Sequence, residues 1–191
     1  MEERILFRDS YREFLAPGDL CFDIGANLGN RVLGFRALDC KVVALEPQSY
    51  CFSKLERGFG VDNQVVLINQ AVGRVPGEMN LHISPNHVLS SFSEKFIQRT
   101  SESGRFAKNK WSKIQKCQVT TLDELIVAHG VPDFIKIDVE GFESEVLAGL
   151  STPVPAVSIE WVPELPENAS ECIRLLVSLG NYEFNISWVK A

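Results

Sequence analysis

Short, mostly apolar runs alternate along this chain with segments whose apolar residues recur every three to four positions. The runs fall at 20–24, 42–45, 65–69, 134–139 and 156–159. Most are apolar at nearly every position, so they read as strands buried on both faces. Between them, segments 30–38, 48–59, 142–150 and 169–179 carry helical periodicity. A further helix precedes residue 134, where Thr121 is followed three positions on by Glu124, the spacing of a capping box. Residues 182–188 read as a last strand. Strands alternating with helices predict an α/β protein: a Rossmann-like, doubly wound, mostly parallel sheet within a single domain over 1–191.

A segment of about 76–119 breaks this rhythm and predicts a small β-rich insertion between the third and fourth strands. Residues 79–84 alternate like an extra strand, and 114–119 are a suitable partner. From 93 to 116 there are seven Lys or Arg against two acids, in a chain of net charge −6. The plain reading is a solvated, mobile loop. The sharper one is a basic rim that attracts an anionic acceptor. The acidic overall charge argues against nucleic acid, and Phe96, Phe106 and Trp111 form no reader motif.

The first strand runs into Phe22-Asp23-Ile24-Gly25-Ala26-Asn27-Leu28-Gly29, a loop that opens a helix. Its glycines permit a tight turn and a close backbone approach to a ligand. It lacks the third glycine of a dinucleotide fingerprint and places a carboxylate, Asp23, where a pyrophosphate would be repelled. A cationic, amino-acid-like ligand suits it better, which points to S-adenosylmethionine rather than NAD. Glu46, at the end of the second strand, stands where a βαβ unit delivers an acid to a ribose diol, although it could instead cap the helix that follows. The loop, Glu46-Pro47 and Asp133-Phe-Ile-Lys-Ile-Asp-Val-Glu-Gly-Phe-Glu143 together resemble the FkbM family of methyltransferases. Residues 120–125 and 158–161 fit the same pattern. The resemblance implies a class I methyltransferase fold, S-adenosylmethionine as cofactor, and O-methylation of a hydroxyl on a sugar, glycolipid or polyketide-type product.

In a doubly wound sheet, ligands sit beyond the carboxyl ends of the strands. That edge would gather Asp23, Gly25, Asn27, Gly29 and Glu46 around the cofactor, with Asn69, Gln70 and Ala71 near the adenine. Lys136, Asp138 and Glu140 alternate, so they should share one side of the fourth strand. They form either a buried ion network or the catalytic group. In the second case Asp138 lies near the methionine amino group or the acceptor, and Glu140 or Lys136 assists deprotonation. His87, in a loop able to fold over this edge, is a further candidate base, and Ser90 and Ser91 are candidate cofactor contacts. Glu143 and Glu160 are candidate acceptor-side carboxylates. Asp138 and Glu140 alone are too few ligands to argue a metal.

Composition changes this picture little. An apolar content of 45% and a charged content of 23% are those of a globular chain. No apolar run has membrane-spanning length, and the charged N-terminus has no signal-peptide core. Five cysteines without C-x-x-C spacing suit a reduced, cytoplasmic protein. After residue 188 a class I sheet would still lack one strand, so the C-terminal edge is expected to be incomplete. An open edge invites a partner strand, which leaves a homo-oligomer open. Two rival functions remain. A nicotinamide-dependent dehydrogenase would want the missing glycine. A catalytically inactive cofactor-binding or scaffold module would bind without turnover.

Overall fold

The structure, a computed structural model, describes residues 11–186. In chain order the elements are β1 (Leu20–Ile24), α1 (Asn30–Arg36), β2 (Lys41–Leu45), α2 (Ser49–Phe59), β3 (Val65–Ile68), β4 (Ala71–Val72), β5 (Gly77–Ile83), α3 (Glu94–Glu102), β6 (Lys113–Thr120), α4 (Leu122–His129), β7 (Phe134–Ile137), α5 (Glu143–Leu147), β8 (Ala156–Ile159) and α6 (Pro166–Leu179). Five strands form one parallel sheet in the order β3-β2-β1-β7-β8. This is the Rossmann-like arrangement that the alternating pattern implied.

The pleat explains why the strands are apolar at nearly every position. Phe22, Ile24, Val43, Leu45, Ile135 and Ile137 face a core completed by Leu122 and Leu125 of α4, Val146 and Leu147 of α5, and Leu176 of α6. Their neighbours Cys21, Val42, Ala44 and Phe134 face the opposite core, with Val32 and Phe35 of α1 and Leu55 and Phe59 of α2. All five cysteines are buried and free. No described helix is long and apolar enough to cross a membrane.

Thr121 starts α4 with the full capping box. Its hydroxyl accepts the Glu124 N–H at 3.1 Å, and the Glu124 carboxylate accepts the Thr121 N–H at 3.3 Å. Thr121→Ala should therefore lower unfolding free energy by about 1 kcal/mol. A urea midpoint unchanged from wild type would show that the cap contributes nothing.

The insertion is a three-stranded sheet, β4-β6-β5, in which Met79 pairs with Cys117 and His82 with Ile114. Its basic stretch is only in part the solvated loop of the plain reading: residues 103–112 are irregular and mostly exposed, whereas 94–102 form α3. Ser93 caps α3 by accepting the Phe96 N–H. Phe96 then packs with Leu89, Val162, Leu165, Phe106 and Trp111 in a separate small core. The apolar residues that carry this helix are spread among lysines and arginines, which hid its periodicity.

Two other elements differ from expectation. The fourth strand ends at Ile137 rather than Val139, because Glu140 (φ 53°) and Gly141 (φ 88°) adopt left-handed conformations that no strand tolerates. Residues 182–186 are not a strand. Tyr182 turns inward instead, its hydroxyl accepting the Val154 N–H at 3.0 Å and donating to the Val154 carbonyl at 2.8 Å. The rest of the expected last strand, residues 187–188, lies outside the described residues. Among the described residues, nothing pairs with the outer edge of β8.

Candidate active site

The chain departs from β1 toward β2 on one side, while β7 lies on the other, and this switch point opens a crevice at the strands' carboxyl ends. The cleft there has a volume of about 370 Å³ and is lined by the loop after β1, Glu46 to Gln48, the segment 87–92 and residues 136–140. Its floor is the glycine loop. Gly25 (φ 78°) and Ala26 both donate to the Leu45 carbonyl, at 3.0 and 2.9 Å, which ties the turn to β2. A Cβ on Gly25 would lie 2.0 Å from the Asp138 carbonyl oxygen. Only glycine lets this loop pass so close to the end of β7. Gly29 (φ 89°) makes the turn into α1.

Glu46 is fixed by main chain on both oxygens. Oε2 accepts the Asn27 N–H and Oε1 the Gln48 N–H, each at 2.8 Å. Burial pushes its pKa up to about 7, against the pull of those two N–H groups. Each oxygen retains a second acceptor position.

Beneath this floor lie two buried charges set together by register, for Asp23 pairs directly with Lys136. Asp23 is fully buried and Lys136 4% exposed. The ammonium lies 3.1 Å from Asp23 Oδ1 and 3.5 Å from Asp138 Oδ2, and donates to the Gly25 carbonyl at 2.9 Å. Burial raises the Asp23 pKa, with Lys136 opposing it. Burial would lower that of Lys136, but the charges of Asp138 and Asp23 carry it above the ordinary lysine value. Asp23 is thus a partner of Lys136, and the structure does not bring it to the cleft surface.

Three carboxylates meet on the opposite wall. Oxygens of Asp138, Glu140 and Glu160 lie within 4.8 Å of one another, close enough to share one cation. Glu140 arrives there through the left-handed turn rather than by strand alternation. Burial, then the charges of Glu160 and Asp138, push Glu140 up to about 9. Glu160, at the mouth, rises to about 8, by desolvation of its cleft side first and then by Asp138. Burial would raise Asp138 as well, but Lys136, a hydrogen bond with Glu160 and the charge of Arg31 hold it below the usual carboxylate value. Of the three, Asp138 is the one that stays anionic at neutral pH.

The remaining sequence candidates separate. His87 lines the cleft, with Nδ1 buried and, among the described residues, without a hydrogen-bond partner, and its ring 6.4 Å from that of Tyr50. The Ser90 hydroxyl donates to Gln48 Oε1 at 2.7 Å, and that of Ser91 to the Glu140 carbonyl at 2.7 Å. Asn69 donates its amide to the carbonyls of Glu46 and Pro47, at 2.7 and 3.2 Å. Gln70 and Ala71 line a separate small hollow beside Phe92 and Phe142. Glu143 is fully buried and bonded to main chain, so it is not on the acceptor side. Gln48 and Arg31 line the cleft without having stood out in the sequence. Polar residues in the first turn of an amphipathic helix read there as solvated.

The sequence matches the family model described as methyltransferase FkbM domain over residues 23–184. Among solved structures, the precorrin-6y C5,15-methyltransferase of Geobacter metallireducens GS-15 superposes with a TM-score of 0.53 at 12% identity, covering 93% of this chain and 69% of that one. The fold is therefore shared with that protein. YjhP of E. coli overlaps less, with a TM-score of 0.31 at 18% identity over 39% of this chain and 33% of that one. No curated protein matches the chain.

Proposed function

The chain belongs to the FkbM family of methyltransferases, and from that premise we propose that it methylates a hydroxyl oxygen of a sugar, glycolipid or polyketide-type acceptor, using S-adenosylmethionine. The observation that carries this reading is Glu46. It is a carboxylate at the tip of β2, fixed by two main-chain N–H groups and retaining acceptor positions on both oxygens for a ribose diol. A cleft of about 370 Å³ falls within the range of small-molecule sites, roughly 300–1,000 Å³.

The cofactor, when bound, supplies an electrophilic methyl on a sulfonium. Transfer forms an O–CH₃ bond, breaks the C–S bond and releases the hydroxyl proton. Glu46 would hold the ribose, and the loop from Gly25 to Gly29 would hold the methionine end. Asp138 accepts the proton, being the cleft carboxylate that Lys136 keeps ionised. Glu140 and Glu160, largely protonated near neutral pH, donate hydrogen bonds that orient the acceptor. Orientation of this kind is worth several kcal/mol, and a placed base adds roughly 10²–10⁴-fold. His87 belongs to the Glu46 side of the cleft and is the second candidate base.

An uncharged acceptor suits the site better than an anionic one. Part of the positive charge of the insertion is already engaged, Lys95 and Arg99 with Glu167 and Arg105 with Glu164, which leaves less of it for an anionic acceptor. Free buried cysteines suit the reducing cytoplasm.

Titration calorimetry with S-adenosylhomocysteine and with NAD tests the reading. We expect saturable binding of the first alone. Glu46→Ala should weaken it about 100-fold or more, since hydrogen bonds to a charged group are worth about 1.5–3 kcal/mol each. Wild-type affinity should rise from pH 6 to pH 8 as Glu46 ionises, and Glu46→Gln should lose most of that rise. NAD binding, or none at all by folded protein, would sink the cofactor assignment. Binding without transfer to any hydroxyl in an acceptor screen would favour the inactive module.

A further inference from the structure

Resting on that reading of the cleft, one buried pair stands behind the acidic wall without touching it. Glu140 has φ 53°, a conformation that strains a non-glycine residue and persists only where the surroundings enforce it. Here the enforcement is visible. Glu143 Oε1 accepts the N–H groups of Val139, at 3.2 Å, and Gly141, at 3.0 Å, the two residues that flank Glu140. Its other oxygen accepts the side-chain amide of Asn168, from the first turn of α6. The same Asn168 amide turns its oxygen to the Ser144 N–H at 3.2 Å. Glu143 is fully buried, and a carboxylate in that position is costly unless every oxygen has a donor. The insertion closes the other side, with Ser91 donating to the Glu140 carbonyl. Gly141 leaves no room for a side chain, for a Cβ there would lie 2.8 Å from both Leu165 and Phe96.

We propose that Glu143 and Asn168 are positioning residues of the active site: a buried carboxylate–amide pair that locks the 138–141 turn and so presents Asp138 and Glu140 to the cleft. Neither side chain touches cofactor or acceptor. The pair acts through the two main-chain N–H groups it holds. Asn is required at 168 because one amide must donate to Glu143 and accept from Ser144 at once. A carboxylate there sets two negative charges against each other, and Gln at 143 sets amide against amide. Exchanging both restores one carboxylate and one amide in the same space.

The test is therefore a reciprocal swap. Because the Asp138 carbonyl packs against Gly25 of the cofactor loop, Asn168→Asp and Glu143→Gln should each weaken S-adenosylhomocysteine binding at least about 10-fold and speed hydrogen exchange at the Val139 and Gly141 amides by a similar factor. The double variant Glu143→Gln/Asn168→Asp should return both to within about 3-fold of wild type. Leu125→Ala, in the core under α4, controls for plain destabilisation and should leave affinity unchanged at a comparable loss of thermal midpoint. A folded double variant that stays as weak as the single ones overturns the proposal, as does weakening of the same size in Leu125→Ala. Wild-type protein that binds no S-adenosylhomocysteine would instead remove the functional reading itself, and the positioning role would fall with it whatever the exchange pattern.

Discussion

Gly25→Ala should abolish measurable S-adenosylhomocysteine binding, a loss of more than about 100-fold, and lower unfolding free energy by about 3 kcal/mol. Two costs add. An L-residue at φ 78° costs roughly 1–2 kcal/mol. The new methyl also falls 2.0 Å from the Asp138 carbonyl oxygen, a main-chain atom that cannot rotate away. The loop must then lift off β7, which breaks the bonds from Gly25 and Ala26 to Leu45 and shifts the Asn27 N–H away from Glu46. Calorimetry and urea unfolding measure the two effects. Gly58→Ala, where an added methyl meets nothing within 4 Å, is the control. Near-wild-type affinity in Gly25→Ala would mean that the close approach of loop and β7 does not shape the cofactor site.

Lys136→Met should cost about 3–5 kcal/mol at neutral pH, the usual consequence of stranding a buried charge. The lysine stem is replaced by a side chain of similar bulk, so the loss is chiefly electrostatic. Asp23, fully buried, keeps its carboxylate and loses the ammonium 3.1 Å away. The pH dependence identifies the cause. Burial already holds the Asp23 pKa above its unfolded value of about 3.9, and removing Lys136 raises it further. Between the unfolded and folded values the folded state binds the extra proton, so stability falls as pH rises through that window. The deficit of the variant should therefore be small near pH 4 and largest at pH 7–8. Lys136 itself has a raised folded pKa, so in the wild type its contribution is intact throughout this range and declines only above the ordinary lysine value near 10.4. Urea unfolding at pH 4.5 and 7.5 decides the matter. A deficit equal at both would show that Lys136 acts by packing alone. The same pair explains why Glu46→Ala is a cleaner probe of cofactor binding than a substitution of Asp23, which would leave Lys136 buried without its partner.

What could be read in the sequence follows from which interactions are local. The strands 20–24 and 156–159, the capping box at Thr121 and the turn-forming glycines at 25 and 29 depend on residues within a few positions of one another, and each was legible. The parallel order also followed, because continuously apolar strands separated by helices can be buried in few other ways. The α3 helix was not legible, since its apolar face is completed by Val162 and Leu165, some sixty residues away. The turn at Glu140 read as strand, because alternation of Lys136, Asp138 and Glu140 looks the same whether or not the backbone turns left-handed after Ile137. That conformation is imposed by Glu143, Asn168 and Ser91, which only folding brings together.

Local pattern was enough to place the sheet, the glycine loop, the acid at the tip of the second strand and the family. Tertiary structure decided how the charges divide. Asp23 and Lys136 neutralise each other beneath the floor, while Asp138, Glu140 and Glu160 converge on the wall from two strand ends more than twenty residues apart. Spacing along a chain specifies which face a side chain takes. Register and burial specify which charge it meets, and that sets the direction in which each carboxylate is shifted.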